Sequence, residues 1–66
     1  MLDLAVAEFH LGEIHEALHR PAAACAAWHR ARQRLPESQA TAEIADVPYV
    51  RAELPGRLAA CAQAQR

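Results

Sequence analysis

An all-α fold, an antiparallel helical hairpin followed by a third, kinked helix, is predicted by three features of this 66-residue sequence. Apolar residues recur at helical spacing in three separate stretches, prolines fall near the boundaries between them, and no run alternates apolar and polar residues as a half-buried strand would.

The first helix is predicted from Leu2 to about His19. Ala7, Leu11, Ile14 and Leu18 fall at i, i+4, i+7 and i+11, the spacing of a core-facing stripe, and Leu2, Val6 and Phe9 widen it. Pro21 suits the first turn of a second helix, where its missing N–H is no loss, so the first helix should end near Arg20. From Ala22 to Leu35 the spacing recurs through Ala24, Trp28, Ala31 and Leu35, and Pro36 marks the expected stop. A connection of two or three residues forces the two helices antiparallel, with small alanines at the contact and Trp28 filling it. Residues 1–36 therefore read as one hairpin.

Residues 37–47 read either as a short helix capped by Ser38 or as an irregular linker. A capping helix is expected over 48–64, with Asp46 and Pro48 near its start and Val50, Leu54, Leu58 and Cys61 at i, i+4, i+8 and i+11. Pro55 interrupts it: the ring removes the bond to the Arg51 carbonyl at a cost of about 3 kcal/mol, which predicts a kink or a break.

Composition narrows the function. The formal charge is −1, which gives no electrostatic reason to expect nucleic acid or an anionic membrane as partner. The only basic cluster, His29 to Arg34, lacks interleaved aromatics and lies where cations suit a helix's C-terminal dipole. No apolar run approaches the roughly 18 residues of a membrane span, and Asp3 stands where a signal peptide needs positive charge, so a cytoplasmic location is expected. Cys25 and Cys61 lie outside any Cys-x-x-Cys or secreted-domain spacing and read as reduced apolar residues, the alternative being a redox pair if the third helix folds onto the second.

His15-Glu16-Ala17-Leu18-His19 is a literal H-E-x-x-H. On a continuous helix, that spacing turns two imidazoles to one side to hold Zn²⁺, while the Glu acts as base on the bound water. It supplies the alternative reading, a zinc-dependent hydrolase, for which Glu43, Glu37 and His29 are the candidates for a third ligand. With no downstream ligand motif, no metal or other cofactor is expected and the primary reading is not an enzyme.

Leu11-Gly12, Ala24, Trp28, Ala31 and Pro36 are in register, without a gap, with the signature positions of a tetratricopeptide repeat, and residues 5 to 37 resemble one such repeat. The chain departs from the pattern at Glu8, where the family often has Trp, at His19, where the turn usually carries Gly, and at Pro21, where an aromatic is common. One period on, Ala45 and Asp46 replace Leu-Gly, so the remainder resembles the solvating helix that caps an array. The resemblance implies a protein-interaction module, a small scaffold or adaptor binding a peptide or partner helix. First helices of such repeats line a concave groove, which here assigns Val6, Phe9, Glu13, Glu16 and Arg20 to partner binding; Phe9 reads equally as core.

Few large side chains are present to offset an ordering cost of about 1.5 kcal/mol per residue. The chain is accordingly expected to associate, with a protein or peptide partner or as a homodimer, rather than persist as a lone monomer.

Overall fold

The computed structural model describes residues 4–38 and 46–64, and those residues form three helices: α1 (Leu4–Ala17), α2 (Pro21–Ser38) and α3 (Asp46–Ala64). α1 and α2 pack as the expected antiparallel hairpin, and α3 lies against both. The fold is all-α.

α1 stops at Ala17, earlier than proline placement alone suggests. His19 takes a positive φ of 59°, and this left-handed residue closes the helix while the Arg20 N–H donates to the His15 carbonyl at 2.8 Å. The Arg20 carbonyl then accepts from the Ala24 N–H at 2.9 Å, starting α2 with Pro21 in its first turn. At its other end α2 continues through Ser38, past the stop expected at Pro36. The linker expected over 37–47 is thereby shortened at both ends, and its residues 39–45 lie outside the described ones.

The core is small. Ala5, Phe9, Ala24, Ala27, Trp28, Ala31, Val50 and Leu54 are buried, with Val6, Leu35 and Leu58 half-buried against them. The α2 stripe and the α3 stripe were both legible from their spacing. The α1 stripe was not: Leu11, Ile14 and Leu18, expected in the core, are exposed, and Phe9, Ala5 and Gly12 take the inside. Phe9 and Leu11 differ by two residues and so lie roughly 160° apart around the helix. Both faces of α1 are apolar, and periodicity alone does not say which one a neighbour covers.

Trp28 is the hairpin's anchor. Its indole N–H donates to the Phe9 carbonyl at 3.2 Å, and Phe9 meets Tyr49 of α3 edge-on at 5.7 Å between centroids. One aromatic cluster thus ties all three helices together.

α3 continues through Pro55 as one helix, so of the expected kink or break the break does not occur. Proline's lost hydrogen bond costs about 3 kcal/mol in a helix. Leu54 is buried directly before it and Val50 and Cys61 on either side, so tertiary contacts secure both halves of the helix.

Cys25 and Cys61 are joined in a disulfide, which corrects the expectation of two reduced thiols. Their distance in sequence hides that α3 folds back across α2 and brings them together. With a sequence separation of 36, the bond removes loop-closure entropy equivalent to about 4 kcal/mol in the chain-entropy model. The cystine also removes one ground for expecting a reducing, cytoplasmic setting. No helix among the described residues is long and apolar enough to cross a membrane.

Candidate interaction surface

The H-E-x-x-H letters do not form a zinc-protease helix. His15 lies in the last turn of α1, whereas His19 lies past its end at a positive φ, so the two rings are not presented one turn apart on a continuous helix. The Glu16 carboxylate sits 3.5 Å from Arg57, an ion pair to α3. Among the described residues no three His, Cys, Asp or Glu side chains are gathered as a metal would need, and Glu43 lies outside those residues.

The stripe assigned to a partner is the seat of α3. Phe9 is fully buried and Val6 packs half-buried against the core. Glu13 accepts from the Tyr49 hydroxyl at 3.4 Å and from Arg57 at 3.5 Å, and pairs with His10 at 2.8 Å within α1. Arg20 stands apart from the group, exposed in the turn, where its backbone links the two helices. The face that the resemblance gives to a ligand helix is therefore filled by a helix of the same chain.

Arg57 is the residue that organises this seat. Its guanidinium lies 5.4 Å from the ring centroids of both Phe9 and Trp28, and it reaches Glu13, Glu16 and, one turn back on its own helix, Glu53. A planar cation held on aromatic faces and ringed by carboxylates suits arginine far better than lysine. The Glu53–Arg57 spacing of i, i+4 was the one signal visible in the sequence.

On the opposite side of α1 lies a surface with a different character. Leu4, Leu11, Ile14 and Leu18 are exposed at 48%, 37%, 56% and 55%, and with exposed Ala7 they form a 3-4-3-4 sequence, the a and d positions of a heptad. Isolated exposed leucines need no explanation, but a continuous row at this spacing does. His15 borders the row, and its Nδ1 is buried without a hydrogen-bond partner among the described residues. The row is flanked mainly by groups already engaged within the chain, Glu8 with Arg30 at 2.6 Å and His10 with Glu13.

No family model matches the chain, and neither a curated protein nor a solved structure does.

Proposed function

We propose that the protein is a protein–protein interaction module, a tetratricopeptide-like hairpin whose contact surface is the outer face of α1 and whose occupant is a second copy of the same helix. The observation that carries this reading is the exposed row Leu4, Ala7, Leu11, Ile14 and Leu18.

A 3-4 spacing fits another helix carrying the same spacing, because each side chain then enters a hole between side chains opposite. The row is complementary to itself when reversed. Laid antiparallel, Leu11 meets Ile14 of the other copy in the two layers beside a two-fold axis, and the small Ala7 meets the large Leu18 in the layers outside them. Single helices of this length bury less than the roughly 800 Å² per partner of a standard interface, so association in the micromolar range is the expected strength. The groove that a ligand helix would take in the resembling family is closed here by α3, which is why the opposite face is the one available.

Amide and methyl chemical shifts followed while the protein is diluted test this reading. Changes should concentrate on residues 4–18 and leave the exposed residues of α3 unmoved. Shifts confined to α3, or none across the concentration range, would remove the outer face of α1 as the contact surface.

A further inference from the structure

The cystine lies in the wall of a cavity. Glu16 from α1, His19 from the turn, Pro21, Ala24 and Trp28 from α2, and Ala60 from α3 line an open pocket of about 470 Å³ together with Cys25 and Cys61. Cys25 and Cys61 are only 6% and 3% exposed, so the sulfurs can be approached only from the pocket whose wall they help to form. The bond also stands at the junction that matters mechanically. Cys25 belongs to the hairpin and Cys61 to the last turn but one of α3, so it is the covalent link that holds the far end of α3 to α2.

We propose that Cys25–Cys61 is an exchangeable disulfide, attacked through this pocket by a dithiol reductant, and that its reduction releases α3 from the hairpin. The inference rests on the pocket and the cystine and does not depend on the outer face of α1.

The reaction is thiol–disulfide exchange in two steps. A thiolate of the reductant attacks the Cys61 sulfur, forming a mixed disulfide as the Cys25–Cys61 bond breaks and Cys25 leaves as thiolate. The reductant's second thiolate then attacks its own sulfur in that mixed disulfide, closing the reductant's disulfide and expelling Cys61. Two electrons pass to the protein, two protons follow from the reductant's thiols through solvent, and the protein ends as a dithiol. Direction follows from placement. Cys25, the fifth residue of α2, lies nearer the end of a helix that favours an anion than Cys61 does. Cys61 sits toward the carbonyl end of α3, where a thiolate is disfavoured.

Release has a physical consequence. α3 covers Phe9 and the Glu13 and Glu16 carboxylates, and through Arg57 it covers the face of Trp28 as well. Freed of its tether, α3 uncovers the second apolar face of α1. The cystine is then a lock on a surface, beyond its effect on stability.

Reduction of the native protein by dithiothreitol, read by thiol alkylation and mass, tests the proposal together with amide exchange on the product. The native rate should lie below the rate in urea, as the burial of both cysteines requires, yet well above the rate of global unfolding, and Ala60→Trp, in the pocket wall, should slow it at least about tenfold without altering the rate in urea. On reduction, residues 46–64 should lose amide protection while residues 4–38 keep theirs. A native rate that tracks global unfolding and ignores Ala60→Trp would overturn entry through the pocket. Unchanged protection of α3, or collapse of the whole chain, would overturn the lock. With glutathione as a monothiol, the trapped adduct should map to Cys61, and an adduct on Cys25 would reverse the assigned direction of attack.

Discussion

Gly12 of α1 lies directly beneath the indole of Trp28, so closely that a Cβ added at Gly12 would meet Nε1, Cδ1 and Cε2 of the ring inside van der Waals contact. The indole is buried and bonded to the Phe9 carbonyl, so moving it would break that bond. Gly12→Ala gains about 1 kcal/mol of helix propensity, but overpacking a fixed ring costs about 1–3 kcal/mol. The variant should therefore melt lower than the parent, and Gly12→Val lower still. Trp28→Ala, which removes the other half of the contact, should cost about 3–5 kcal/mol and abolish most helicity by far-UV circular dichroism. A Gly12→Ala variant more stable than the parent would mean that the helices do not approach this closely.

Two arginines should differ sharply in worth. Arg57 is three-quarters buried, shared among Glu13, Glu16 and Glu53 and held at 5.4 Å from two aromatic rings, whereas the Arg30 side chain, paired with Glu8, is 48% exposed. Exposed pairs are worth about 0–1 kcal/mol, while a network over aromatic faces adds about 1 kcal/mol or more. Arg57→Met should lose more stability in a urea titration than Arg30→Met, and high salt should narrow the gap without closing it. Equal losses would show that α3 is not seated by Arg57.

His19, at φ 59°, occupies a conformation that costs an ordinary L-residue roughly 1 kcal/mol and glycine almost nothing. His19→Gly should leave the fold intact with stability unchanged or raised by up to about 1 kcal/mol, since greater freedom of the unfolded chain opposes the gain. His19→Val should be clearly destabilising. Thermal melts of the pair give the answer, and a valine variant as stable as the parent would contradict the left-handed turn.

How far the sequence alone reaches can be judged residue by residue. Ala24, Trp28 and Ala31 were placed correctly, because Trp28 is the one large apolar residue before Leu35 in α2 and His29, Arg30, Arg32, Gln33 and Arg34 leave only one face apolar in its second half. Val50, Leu54 and Cys61 were placed by their spacing. α1 defeated the method: with apolar residues on opposite sides, spacing identifies a helix without choosing its inner face, and that choice is made by Gly12, the only residue on α1 small enough to receive Trp28. The cystine was hidden because it depends on where α3 packs, which no local pattern encodes. Arg57 was hidden because its role exists only between helices. Of the stripe Val6, Phe9, Glu13, Glu16 and Arg20, the residues Phe9, Glu13 and Glu16 meet the chain's own third helix, Val6 packs against the core, and Arg20 stands apart in the turn.

The outer face of α1 remains the feature with no intramolecular explanation, and its role as a contact surface for a second copy is tested most directly by sedimentation velocity across the micromolar range. The parent protein should pass reversibly from a 7.2 kDa species toward twice that mass as concentration rises. Leu11→Glu, at an exposed position where the fold tolerates charge, should stay monomeric with an unchanged helical spectrum. A parent that sediments as a compact 7.2 kDa particle at every concentration, or a Leu11→Glu variant that associates as the parent does, would contradict the account.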